Sequence, residues 1–293
     1  MLAVATLTRR VETMAALFTA ATASQPLKLG IGGLGAIGMS VARRVDAGDI
    51  PGLQLVAVAA RDPVKAQARI AELTSAPKLV SLAGLAEAAD VILECIPAAH
   101  FAEIAEPAVA HGRIFMPLSV GQLLAHMSLI ETARATGARI IVPSGALLGL
   151  DAVRAVAEGH VASVKIVTRK PPNGLAGAPY LRERGISMEA VTTPVMVFSG
   201  TAREAIRGFP ANVNVAVALS LAGIGPDRTT VEIWADPGVT RNTHTIEVKS
   251  DSSDLSMTIA NIPSLENPAT GKVTALSAMA ALRRLTAPLV VGT

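Results

Sequence analysis

The sequence predicts an α/β chain: an N-terminal Rossmann-type doubly wound parallel sheet followed by a second α+β domain. Three observations carry this. Short apolar strands alternate with helices from Leu27 to about residue 145. A glycine-rich turn joins the first of these strands to the first helix. Beyond about residue 150 the strands alternate polar and apolar residues, the mark of a sheet with one wet face.

Residues 27–32 form the first strand. Gly33-Leu34-Gly35-Ala36-Ile37-Gly38 then opens a helix that reaches about Ala47. Residues 53–60 are β-branched and apolar, a second strand. Asp62 and Pro63 supply the N-cap and first helical position of a helix to about Leu73. Residues 91–96 read as a buried strand, and the single cysteine in it, Cys95, as a core residue. Helix 101–110, strand 114–116, helix 129–136 and strand 138–142 complete the first domain. The second domain shows strands at 161–168, 195–199, 230–235, 243–249 and 255–259, a Pro/Gly-rich loop at 171–184, and an amphipathic helix at 273–285. The expected boundaries are an extension at 1–26, a dinucleotide-binding domain at 27–145, and a substrate and dimerisation domain at 146–293 whose last helix returns to the first domain.

Composition narrows the function classes. A length of 293 residues suits two domains, and 51% apolar against 17% charged residues is enough for a substantial core. Aromatics are only 2% of the chain, too few for base-stacking platforms, so no nucleic-acid partner is expected. A net charge of +3 without any Lys/Arg tract is compatible with an anionic small molecule but does not demand one. One cysteine excludes an internal disulfide and points to a reducing, cytoplasmic setting. No uninterrupted apolar run approaches the ~18 residues of a membrane span, and no metal site is expected. Arg9 and Arg10 precede an apolar stretch broken by threonines. That segment superficially resembles a signal or transit peptide. It reads better as a disordered extension, or as sequence ahead of a true start at Met14.

The glycine turn is a G-x-G-x-x-G between strand and helix. Gly33 allows the tight turn, Gly35 lets the backbone approach a pyrophosphate, and Gly38 lets helix and strand pack closely. The helix N-terminus at Ala36 and Ile37 offers free N–H groups to phosphate. A nicotinamide dinucleotide is therefore the expected cofactor. At the end of the second strand an Asp or Glu would bond the ribose of NAD. This chain has Ala60 there, followed by Arg61. Without a carboxylate to repel a 2′-phosphate, and with a guanidinium to pair with it, NADP competence is expected beside NAD. Asp62 is the alternative ribose acceptor if the strand ends later.

Few residues of the second half suit acid–base work. His100, His111, His126 and His160 lack a polar constellation and read as surface or cap residues. His244 stands two residues after Asn242, which puts both on one face of a strand. Taken alone, that histidine reads better as an exposed strand residue on the sheet's wet face.

From Leu27 onward the chain resembles the L-aspartate dehydrogenases. The resemblance rests on the glycine turn, Leu118-Ser119-Val120-Gly121, Pro143-Ser144-Gly145-Ala146, Thr168-Arg169-Lys170-Pro171-Pro172, Phe209-Pro210-Ala211-Asn212-Val213-Asn214, Asp236-Pro237 with Arg241-Asn242-Thr243-His244, and Glu266-Asn267-Pro268. It implies that His244 is catalytic and that Ala146 and Asn214 contact the nicotinamide cofactor; Asn242, on the same strand face as His244, is expected to bind substrate or to orient that histidine by hydrogen bonds. It further implies hydride transfer from Cα of L-aspartate, giving iminoaspartate and then oxaloacetate and ammonia, or the reverse amination. Supply of NAD biosynthesis and a homodimer follow from the same resemblance. A histidine titrating near neutral suits the proton transfers. Arg169, Lys170, Arg241 and Lys272 are the cations available to the substrate carboxylates. Two alternatives share this layout: another two-domain reductase of the homoserine-dehydrogenase or dihydrodipicolinate-reductase type, and a non-catalytic dinucleotide sensor.

Overall fold

The computed structural model describes residues 25–210, 213–264 and 271–292. The expected extension lies outside these residues except for its last two positions, as does Glu266-Asn267-Pro268.

Six parallel strands make the first sheet: β1 (Leu27–Gly32), β2 (Leu53–Ala59), β3 (Lys78–Leu79), β4 (Val91–Glu94), β5 (Ile114–Pro117) and β6 (Arg139–Ile140), in the order β3-β2-β1-β4-β5-β6. Strand order reverses between β1 and β4, which opens a crevice at the carboxyl ends of those strands, the usual ligand position in such sheets. Helices α1 (Ala36–Asp46) and α2 (Pro63–Ile70) cover one face. Helices α3 (Leu85–Ala88), α4 (Phe101–Ala110) and α5 (Ser128–Thr136) cover the other. Being buried on both faces, β4 is apolar at three successive positions, as the sequence suggested.

The second sheet is mixed. It contains β7 (Val161–Lys170), β8 (Val195–Thr201), β9 (Thr229–Ala235), β10 (Thr243–Ser250) and β11 (Asp254–Ala260), in the order β11-β10-β7-β9-β8. Only β7 and β9 run parallel. Val164, Ile166, Val231, Ile233, Ile246 and Val248 share its inner face and pack under helices. Those helices are α6 (Leu150–Ala157), α7 (Pro179–Glu183), α8 (Ala202–Gly208) and α9 (Asn214–Ala222).

These four helices and the short β3 and α3 escape the sequence reading. Helix α7 lies inside the expected loop, started by Pro179. For α8 the signal was present: Thr201 and Glu204 form a reciprocal capping box. Helix α9 is apolar all round, so it shows no amphipathic period. The reason is its place between two cores. Val215, Ala216 and Leu219 pack into the second domain, while Val217 and Ala218 join the core of the first that holds Phe101, Phe115 and Val120. The last helix, α10 (Lys272–Arg284), puts Ala278, Met279 and Leu282 into the core that holds Leu29, Ile31 and Val41 of the first domain.

Candidate active site

The glycine turn has the geometry its residues require. Gly33 sits at φ +93°, and a Cβ there would lie 2.5 Å from the carbonyl oxygen of Cys95. A Cβ on Gly38 would come within 1.9 Å of the Gly33 oxygen. Around Gly35 there is nothing within 4 Å. Two glycines are thus demanded by the protein's own packing, and the middle one leaves space for a ligand. Gly35 is also the N-cap of α1 and carries no side-chain cap. The N-terminal N–H groups of that helix face the same opening, which suits the pyrophosphate of a dinucleotide.

At the neighbouring strand end, Gly33 N donates to Ala59 O at 2.7 Å, so Ala60 and Arg61 stand on the rim of this crevice. Arg61 is exposed. Asp62 caps α2: its carboxylate accepts from Lys65 N at 3.1 Å, a bond that holds its pKa below the usual carboxylate range. That favours the cap over the ribose-acceptor role. Arg69 of α2 reaches across and donates to the Leu34 carbonyl of the glycine turn.

A cavity of about 170 Å³ lies between the two sheets. Ile37 borders it from the first domain, Ala146 from the loop that packs on the second domain's core, Asn214 from the N-terminus of α9, and Lys170, Asn242 and His244 from the second sheet and the turn leading into it. Six of the residues singled out in the sequence therefore meet in one place: Ile37, Ala146, Lys170, Asn214, Asn242 and His244. Gly33, Gly35, Ala36, Gly38 and Arg61 do not border this cavity.

His244 is paired with Thr168 of β7 and Ile259 of β11 in the sheet register. It is 3% exposed, and its Nδ1 lies 3.0 Å from Thr168 Oγ1. Burial first, and then the positive charge of Lys170, push its pKa down to about 3. That direction runs against the near-neutral titration expected from the sequence, because burial favours the neutral imidazole. Asn242 precedes β10 by one residue, and its carbonyl accepts from Asn261 N at 2.8 Å.

Among the four candidate cations only Lys170 lines the cavity. Arg169 points to the other face, 3.0 Å from Asp236 Oδ2 and stacked over Trp234. Arg241 and Lys272 are exposed. Burial lowers the Lys170 pKa to about 8.

Three further residues hold the walls together. Asn261 is 4% exposed, and its Nδ2 donates to Ala146 O at 2.9 Å. Its backbone bond to Asn242 makes it a tie between the loop of Ala146 and the strand of His244. Glu94 ends β4 fully buried and accepts from Ile96 N, Leu118 N, Ser119 N and Ser119 Oγ at 2.8–3.1 Å. Burial nevertheless raises its pKa. The segment it grips continues to Gly121, whose N–H donates to Asn214 Oδ1 at 3.0 Å. Thr168 is the third. An acid at the end of an apolar strand was the visible signal for Glu94, whereas Asn261 carried none.

Comparison with known proteins agrees with this geometry. The family described as "Aspartate dehydrogenase, C-terminal" matches residues 151–285, and "Homoserine dehydrogenase, NAD binding domain" matches 33–143. An L-aspartate dehydrogenase of Bradyrhizobium diazoefficiens is 54% identical over 272 residues, covering 93% of this chain and 96% of the relative. L-aspartate dehydrogenase 3 of Bordetella bronchiseptica is 53% identical, covering 92% and 98%. The crystal structure of aspartate dehydrogenase from Thermotoga maritima superposes with a TM-score of 0.69 at 21% identity, over 91% of this chain and 99% of that one, and shows the shared fold. With matches that run the length of both domains, the chain belongs to the L-aspartate dehydrogenase family.

Proposed function

We propose that the protein oxidises L-aspartate at Cα with NAD⁺ or NADP⁺ to iminoaspartate, which water converts to oxaloacetate and ammonia; reductive amination is the reverse. The observation that carries this reading is the single cavity bordered by Ile37, Ala146 and Asn214 on one side and by Asn242, Lys170 and His244 on the other. The first set adjoins the glycine turn, and the second supplies polar groups suited to an amino acid. When bound, the dinucleotide supplies the two-electron acceptor.

The chain's own residues divide the remaining work. Gly35 and the start of α1 hold the pyrophosphate through backbone N–H groups. Ala146 and Asn214 position the nicotinamide end. Asn242 orients the substrate by hydrogen bonds. His244, held by Thr168, presents a neutral imidazole to the imine carbon, where it directs the attacking water. Ala60 and Arg61 support use of NADP beside NAD. The outer face of the second sheet carries half-buried Val167 and Trp234, which supports pairing of two copies through this domain. A concentration-independent monomer in sedimentation would overturn the homodimer. One cysteine and no helix among the described residues long and apolar enough to cross a membrane are compatible with cytoplasmic work, in which iminoaspartate feeds NAD biosynthesis.

The test is turnover of L-aspartate with each dinucleotide, followed by the absorbance of the reduced nicotinamide, with L-homoserine as the competing substrate. Oxidation of aspartate and not of homoserine is expected. The opposite preference would replace this reading with the homoserine-dehydrogenase one, and no turnover of either would favour a sensor.

A further inference from the structure

Asn261 is buried just past the end of β11, and only half of its amide is accounted for. Nδ2 donates to Ala146 O at 2.9 Å. A carbonyl oxygen can only accept, so this bond fixes which end of the amide faces Ala146 and turns Oδ1 the other way. Oδ1 is fully buried and has no hydrogen-bond partner among the described residues. Buried acceptors are nearly always satisfied in folded proteins, so this one calls for a donor from outside the chain. Asn261 is placed to receive one. It borders the cavity of the candidate active site, and its backbone N–H ties it to Asn242, two positions before His244.

Helix α10 begins beside it, with Gly271 and Thr274 lining the same cavity. Its N-cap, Gly271, brings no side chain to the first turn. Lys272 N donates to Ile262 O and Thr274 N to Gly271 O, which leaves Val273 N without a partner among the described residues. A helix of 13 residues also directs the positive end of its dipole to this point. Oδ1 and the turn are neighbours: a Cβ on Gly271 would lie 3.1 Å from Asn261 Oδ1. The wall therefore sets an unsatisfied acceptor next to donors suited to an anion. That matches an α-amino acid, whose amino and carboxylate groups leave the same carbon. No Asp or Glu is among the described residues lining the cavity, so a substrate amino group has to be received by a neutral acceptor. Asn214 Oδ1 is already engaged by Gly121 N.

We propose that Asn261 and the first turn of α10 form the pocket for the amino-acid head group. Asn261 Oδ1 accepts from the α-amino group, and Val273 N and Thr274 Oγ1 donate to the α-carboxylate. This rests on the amino-acid dehydrogenase reading above. It brings Cα to the end of the β10–β11 pair, where Ile259 is the register partner of His244. It also selects an amine over a group that cannot donate.

The experiment measures KM for L-aspartate, the inhibition constant of succinate, which is aspartate without its amino group, and the dissociation constant of the reduced dinucleotide. The proteins are the wild type, Gly271→Ala, Asn261→Ala and Thr274→Val. Gly271 has φ −69° and ψ 141°, which alanine adopts freely. Gly271→Ala therefore sets a methyl against Oδ1 while the bond from Asn261 to Ala146 stays. It should raise KM for aspartate about 10–150-fold relative to the inhibition constant of succinate, the scale of one hydrogen bond to a charged group, and leave dinucleotide affinity unchanged. Asn261→Ala should shift the aspartate-to-succinate ratio in the same direction. Thr274→Val should weaken aspartate and succinate alike, because both carry the carboxylate. Equal losses of aspartate and succinate in Gly271→Ala and Asn261→Ala would overturn the proposal and leave Asn261 a structural tie. Loss of dinucleotide affinity in Gly271→Ala would also overturn it and give Oδ1 to the nicotinamide amide. Thr274→Val matching the wild type on both ligands would overturn the carboxylate contact. A wild type inactive on aspartate would instead sink the function itself.

Discussion

Thr168 and His244 face each other across β7 and β10, with Oγ1 and Nδ1 3.0 Å apart in a buried site. Because the pair belongs to two adjacent strands, the sheet itself sets the ring's orientation. Nε2, the nitrogen turned away from Thr168, is the one that the proposed mechanism offers to substrate. Thr168→Val keeps the shape and removes the partner. Losing a buried hydrogen bond of about 1–3 kcal/mol should lower kcat about 5–150-fold, with KM for the dinucleotide unchanged in steady-state kinetics.

His244 also makes the fold sensitive to acid. Its pKa is depressed from 6.5 to about 3 in the folded protein, so the unfolded chain binds its proton first. Stability is therefore complete above pH 6.5 and falls as pH drops from there towards 3. This one group contributes a slope of at most about 1.4 kcal/mol per pH unit. In urea unfolding, His244→Gln should decline less steeply than the wild type over that window. Equal slopes would show that the histidine is not held neutral.

The glycine turn separates binding from folding. Gly38→Ala places a methyl 1.9 Å from the Gly33 oxygen and should destroy both stability and cofactor binding. Gly35→Ala meets no protein atom within 4 Å. It should keep its melting temperature within a few degrees and lose dinucleotide affinity by at least tenfold, measured by quenching of the reduced cofactor's fluorescence.

Ala60→Asp would place a carboxylate at the rim of the adenosine crevice. It should weaken NADP by about 1–3 kcal/mol, the scale of charged hydrogen bonds, and leave NAD little changed. An unaltered NADP-to-NAD ratio of dissociation constants would move the 2′-phosphate contact away from Arg61.

Asn261→Ala cuts the tie between Ala146 and the strand of His244. Removing a buried donor from a carbonyl costs about 1–3 kcal/mol, and the drop in thermal stability should fall in that range. Both walls of the cavity should loosen, so KM for dinucleotide and for aspartate should rise together. A rise in only one would mean that Asn261 serves a single wall.

What the sequence determined by itself is local. Glycine spacing, the Asp62-Pro63 helix start and period-two strands depend on neighbours a few residues apart, and each can be read from the chain. The same holds for His244 and Asn242, which lie two positions apart at the start of one strand. Tertiary structure decided the rest. Helix α9 shows no period because it is buried on two sides by different domains. Asn261 acquires its role from Ala146, 115 positions away in sequence. Lys170 and Arg169 are adjacent cations in the chain, yet the pleat sends one into the cavity and the other to Asp236. The titration of His244 depends on burial and on a charge from another strand, neither of which a sequence displays. Desolvation is a property of the packed molecule, and here it lowers the pKa of both the His244 imidazole and the Lys170 ammonium.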